Sequence, residues 1–143
     1  MITVMQILQA KGDEVWTIGP QVTVFEALKL MAEKEIGALL VVDAGKVVGI
    51  FSERDYARKV ILKDRSSKET PVRMIMTERV VAVNPSTPVE VCMGLMTGEH
   101  IRHLPVLDGD QLVGVISIGD VVKVIISEQE YLIEHLENYI VGR

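Results

Sequence analysis

Residues 49–55 read Gly49-Ile50-Phe51-Ser52-Glu53-Arg54-Asp55, and residues 114–120 read Gly114-Val115-Ile116-Ser117-Ile118-Gly119-Asp120. The glycine, the serine and the aspartate each return after 65 residues. Working outward at that offset, Pro85 follows Pro20, Asp108 follows Asp43 and Val89 follows Val24. Leu95-Met96 follows Leu30-Met31, Ile101 follows Ile36, Leu104 follows Leu39 and Val106 follows Val41, all without a gap. The chain is an internal duplication, and a repeat of this kind governs how each motif is read. Further upstream, Val4-Met5-Gln6-Ile7-Leu8 resembles Val72-Arg73-Met74-Ile75-Met76 at an offset of 68, as though Ala10-Lys11-Gly12 lengthen a loop of the first copy.

Each copy predicts strand, helix, strand, strand, helix. Val15–Ile18 and Val80–Val83 are short apolar strands stopped by Gly19-Pro20 and Asn84-Pro85, because proline lacks an N–H and turns the chain. Val24, Ala27, Leu28 and Met31, and then Val89, Cys92, Met93 and Met96, recur every three and four residues, the period of a helix with one buried face. Ala38–Val42 and Leu104–Leu107 are strands closed by the turns Asp43-Ala44-Gly45 and Asp108-Gly109-Asp110, and Lys46–Phe51 and Gln111–Ile116 return as their partners. Ser52 and Ser117 open the last helix of each copy, with Val60-Ile61 and Val121-Val122 on the apolar side. Polar residues 63–70 link the copies, and Ser127 is read as the cap of a separate C-terminal helix with Tyr131, Leu132, His135, Leu136, Tyr139 and Ile140 on one face. The expected organisation is repeat one at 1–65, repeat two at 66–127 and a helix at 128–143, an α/β (α+β) protein.

Composition narrows the function. The 143 residues are 48% apolar and 24% charged, enough apolar side chain for one compact core. The longest aliphatic run, Ala38 to Val42, is far below the roughly 18 to 20 residues of a membrane span, so no membrane partner is expected. The N-terminus lacks a basic leader, and a cytoplasmic address is the expectation. A net charge of −5 has the wrong sign for a protein whose primary partner is nucleic acid. Cys92 stands alone, in a helical apolar pattern where it reads as a small core residue, and the seven methionines read as core filling.

Ser-x-x-Asp at a helix start carries two readings. As a capping box, the serine accepts from a backbone N–H and the acid reaches back to the first turn. As a ligand site, the free N–H groups face phosphate and the aspartate accepts both hydroxyls of a ribose. Enzyme motifs fail: residues 114–119 have the glycine spacing of a phosphate-binding loop, but Asp120-Val121 stands where Lys and Ser or Thr are required. His100, His103 and His135 have no metal-ligand spacing, and no metal or catalytic residue is expected.

The motifs at 49–55 and 114–120, with Ile101-Arg102-His103-Leu104-Pro105-Val106, resemble a tandem pair of CBS domains, a Bateman module, over about the whole chain. One departure is Leu40 where copy two has Pro105, a difference expected to alter strand entry in copy one. The resemblance implies two β-α-β-β-α repeats packed as a pseudo-two-fold sandwich. It also implies a regulatory protein, not an enzyme, that binds an adenine nucleotide between the repeats: AMP first, with NAD(H), ATP or S-adenosylmethionine as alternatives. It implies cross-wired clefts, each taking the helix start of one copy and the first strands of the other. Cleft one then holds Ile50, Ser52, Arg54 and Asp55 with Val80, Val81, Ile101, Arg102 and His103, and Arg73 close by; its arginines and histidine suit phosphate. Cleft two holds Val115, Ser117, Gly119 and Asp120 with Val15, Trp16, Ile36, Gly37 and Ala38, lacks such a cluster, and has Trp16 either to stack on a base or to fill the space. Two rivals stand beside the sensor: a ligand-free oligomerisation scaffold in which both Ser–Asp pairs only cap helices, and an enzyme using a bound dinucleotide. The apolar surface of the last helices exceeds what one sandwich covers, so a homodimer with an unknown regulated partner is expected.

Overall fold

The computed structural model describes residues 1–141. Along the chain run α1 (Val4–Lys11), β1 (Thr17–Ile18), α2 (Val24–Lys34), β2 (Ala38–Asp43), β3 (Lys46–Ser52), α3 (Glu53–Lys59), α4 (Val89–Glu99), β4 (His103–Asp108), β5 (Gln111–Ser117) and α5 (Ile118–Ile140). Short 3-10 turns lie at Ile61–Lys63 and Val72–Met74. β1, β2 and β3 form one sheet, with β1 parallel and β3 antiparallel to β2, and β4 pairs antiparallel with β5. α2 and α4 bury the periodic residues: Val24, Ala27 and Met31 in one, Val89, Cys92 and Met96 in the other.

The duplication is visible bond by bond. Glu53 N donates to Gly37 O, and its counterpart Ile118 N donates to Arg102 O. Glu35 and His100 end α2 and α4 in the left-handed conformation at φ 55° and 56°. Each copy, however, is completed by the other. Val72 and Ile75 lie in the core of Val24, Met31, Leu39 and Phe51, while Val4 and Ile7 lie in the core of Val89, Met96, Leu104 and Ile116. Paired backbone bonds fix the exchange: Val72 N to Val22 O and Val24 N to Thr70 O on one side, Val4 N to Thr87 O and Val89 N to Ile2 O on the other. The packing units therefore draw on both sequence repeats.

Several expectations need correction. Ala10-Lys11-Gly12 do not lengthen a loop: α1 runs to Lys11 and Gly12 ends it at φ 94°. The expected strands Val15–Ile18 and Val80–Val83 shrink to Thr17–Ile18 and to a single parallel bridge, Val83 to Val106. In copy one, Thr17 and Ile18 bridge Leu40 and Val41. The same second bridge in copy two needs a backbone donor at residue 105, and proline has none; Val83 N still donates to Pro105 O at 3.0 Å. The Leu40/Pro105 difference thus alters copy two. Ser127 caps nothing: α5 is one helix of 23 residues, because the following Glu128-Gln129-Glu130 favours helix and no Gly or Pro occurs between Gly119 in its first turn and its end. Met31 and Met96 fill cores as expected, but Met5, Met74 and Met93 are exposed, and so are Ile61 and Val122.

Candidate functional site

Both Ser–Asp pairs are capping boxes. Ser52 N donates to Asp55 Oδ2 at 3.0 Å while Asp55 N donates to Ser52 Oγ at 3.2 Å, and Ser117 and Asp120 repeat this at 2.8 and 3.2 Å. Strand β3 delivers Ser52 to the start of α3, and β5 delivers Ser117 to the start of α5. Each box opens beside a hollow between the copies.

The first hollow, of about 320 Å³, is lined by Ile50, Ser52, Arg54 and Asp55 from copy one and by Val80, Val81, Ile101, Arg102 and His103 from copy two. Those are the residues expected of cleft one, apart from Arg73, which is not among them. The entering segment turns Arg73 toward copy one, where its Nε donates to Gln21 Oε1 at 3.4 Å. Thr77, Arg79 and His100 line the hollow instead. Arg79 is the repeat counterpart of Lys11 at the 68-residue offset and directly precedes Val80, the signal that could have located it. Its guanidinium lies against Glu99, 3.2 Å from Oε2. Arg54 Nη1 donates to His100 O at 3.2 Å, tying the two copies across the cleft.

Asp55 has both oxygens engaged. Oδ2 accepts from Ser52 N and Oγ; Oδ1 accepts from Thr77 Oγ1 at 3.2 Å and lies 3.1 Å from Lys59 Nζ. Thr77 is held there by a reciprocal backbone pair with Ile50, at 2.9 and 3.0 Å. Burial, only partly opposed by the nearby Asp120 carboxylate and assisted by Lys11 and Arg102, lowers the pKa of His103 and disfavours its charged form. The positive charge of this cleft comes from Arg54, Arg79 and Arg102.

The second hollow, of about 250 Å³, contains Val15, Trp16, Ile36, Gly37, Ala38, Val115 and Ser117, as expected of cleft two. Gly119 and Asp120 do not line it. Lys11 does: its Nζ reaches Asp120 Oδ2 at 2.7 Å and Val115 O at 2.9 Å, so this cleft is not devoid of positive charge. Burial raises the Asp120 pKa, but the hydrogen bonds and charge of Lys11, with Ser117, outweigh it and hold the carboxyl below its usual range. Trp16 forms a wall and does not plug the space; Lys34 Nζ sits 4.2 Å from the centre of its ring. Gly37, Ile50 and His103 line both hollows. Among the described residues, no group of three or more His, Cys, Asp or Glu side chains could hold a metal ion, and no helix is long and apolar enough to cross a membrane.

Residues 6–62 and 72–127 match the CBS domain family. The CBS domain-containing protein CBSX3, mitochondrial, of Arabidopsis thaliana is 40% identical over 150 residues, 98% of this chain and 72% of that protein. The structure of a putative signal-transduction protein with CBS domains from Burkholderia ambifaria is 56% identical, with a TM-score of 0.87 over 90% of this chain and 96% of that one. The CBS domain pair of protein MJ0100, solved in complex with 5′-methylthioadenosine and S-adenosyl-L-methionine, is 25% identical, with a TM-score of 0.78 over 90% of this chain and 98% of that one.

Proposed function

The chain belongs to the CBS-domain family, and from that membership we propose that it is a regulatory protein that binds an adenine nucleotide in cleft one and passes its occupancy to a partner. The observation that carries this reading is the convergence, on one hollow between the copies, of the α3 start at Ser52 and Asp55 with Arg54, Arg79 and Arg102. Forked guanidinium donors match phosphate oxygens. Asp55, once its Thr77 or Lys59 contact yields, can accept the hydroxyls of a ribose. AMP fits this description with one phosphate; ATP, NAD(H) and S-adenosylmethionine share the adenosine. That a related CBS pair was solved with two adenosine-containing ligands supports the class of ligand. A ligand gripping both copies favours one relative arrangement of them, by as much as its affinities for the two arrangements differ. No reaction is part of this role. A cytoplasmic homodimer completes the reading.

A second reading rests on the saturation of Asp55 by protein donors: Ser52–Asp55 and Ser117–Asp120 cap helices, and the chain is a scaffold. Titration calorimetry with AMP, ATP, NADH and S-adenosylmethionine, beside native mass spectrometry of freshly purified protein, separates the two. The sensor binds AMP and carries copurified nucleotide; the scaffold binds none of the four.

A further inference from the structure

The second half of α5 leaves the packed body. Val121 is buried and Val124 and Ile125 touch a core, but every described residue from Ile126 onward is exposed. At about 1.5 Å per residue, residues 126–140 extend roughly 22 Å. Ile126, Ile133, Leu136 and Ile140 fall on one helical stripe beside Leu132, and each is 49 to 79% exposed. A contiguous exposed apolar stripe is a candidate binding surface.

The charge beside the stripe selects its occupant. Residues 127–141 contain four glutamates, Glu128, Glu130, Glu134 and Glu137, and no lysine or arginine. Two such tails laid together would oppose like charges, and an anionic bilayer would repel one. The complementary surface is apolar and flanked by cations, and this chain carries it on the repeat counterpart of α5. At the end of α3, Ile61 and Leu62 are 57 and 76% exposed. Residues 57–68 around them contain five basic residues against the single acid Asp64; Lys59 is paired with Asp55, which leaves Arg58, Lys63, Arg65 and Lys68 for this surface.

We propose that the acidic tail of α5 docks on the basic Ile61–Leu62 surface of a second copy, and that the reciprocal contact closes a two-fold dimer. Each copy supplies one tail and one receiving surface, as a self-complementary interface requires. This inference rests on the homodimer of the preceding reading and specifies how it is built.

Light scattering and sedimentation of the full chain test it, with thermal melting to verify that each variant is folded. The wild type is expected to be a dimer. Glu130→Lys/Glu134→Lys/Glu137→Lys should weaken dimerisation at least tenfold in low salt, and Arg58→Glu/Lys63→Glu/Arg65→Glu should do the same. Mixing the two variants should restore a heterodimer in which one of the two contacts pairs the swapped charges and the other the original ones. A chain carrying both sets should dimerise better than either set alone. A monomeric wild type overturns the homodimer itself. A dimeric wild type whose dimerisation neither set weakens, or whose combined sets give no recovery, overturns this docking and leaves the homodimer standing.

Discussion

Lys11 Nζ lies 2.7 Å from Asp120 Oδ2, a bond between the last residue of α1 and the first turn of α5. The equivalent carboxylate in the first copy, Asp55, is met by Lys59 from its own helix and by Thr77. The two pseudo-equivalent helix starts are thus neutralised from different directions, and the clefts beside them are not interchangeable.

Removing the Lys11 charge tests its hold on Asp120. Because the folded-state pKa of Asp120 is lowered, its contribution to stability is present above the unfolded-state value near 4 and fades as pH falls through the folded value. Lys11→Met should cost about 0.5 to 1 kcal/mol at pH 7, a modest figure because both side chains are partly exposed. Chemical denaturation from pH 7 to pH 3 should show the gap between wild type and variant closing below about pH 4.

His103 acts in the same direction but in a higher pH window. Its folded pKa is lowered, chiefly by burial, so the unfolded chain binds protons first and stability falls as pH drops below about 6.5. His103→Gln should flatten the decline in melting temperature between pH 7.5 and pH 5. An equally steep decline in that variant would mean that the imidazole takes up protons alike in the folded and unfolded chain, and that burial does not lower its pKa.

Much of this arrangement is legible in the sequence. The 65-residue offset preserves Gly49 and Gly114 because each is crossed by the other copy's entering segment: a Cβ there would stand 2.5 Å from Met76 Sδ and 2.6 Å from Leu8 Cδ2. It preserves Ser52, Asp55, Ser117 and Asp120 because both helices need caps. What escapes a linear reading is long-range. Arg73 and Arg79 both lie near the second repeat's entry, and only the path of residues 72–77 across copy one decides which faces the cleft. Lys11 reaches Asp120 only because α1 packs on the second core. The missing donor of Pro105, by contrast, was readable in principle; its effect depends on which neighbouring strand needed that donor.

Those crossings yield a prediction of their own. Gly114→Ala should destabilise by about 1 to 3 kcal/mol through overpacking against Leu8, and adding Leu8→Ala should recover part of the loss. Gly49→Ala should cost more, because its Cβ would also press the Thr77 carbonyl at 3.1 Å, and backbone yields less readily than a leucine tip. Denaturant midpoints of the single and double variants provide the comparison.

Arginine truncation separates phosphate from nucleoside. Arg102→Ala or Arg79→Ala should weaken AMP binding by about 1 to 3 kcal/mol while changing adenosine binding little, since only phosphate uses charge-assisted bonds. The loss should shrink between 50 and 500 mM salt. Equal losses for both ligands would remove the arginines from the phosphate site.

The central claim is that cleft one, built on Asp55, is the nucleotide site. Calorimetric titration of AMP into wild type, Asp55→Ala and Asp120→Ala tests it most directly. Asp55→Ala should lose about 1.5 to 3 kcal/mol of AMP affinity, and about 1 kcal/mol of its own stability with the cap. Asp120→Ala should bind AMP as wild type does. Normal AMP binding by Asp55→Ala, with binding abolished in Asp120→Ala, would contradict the account and move the site to the cleft beside Lys11.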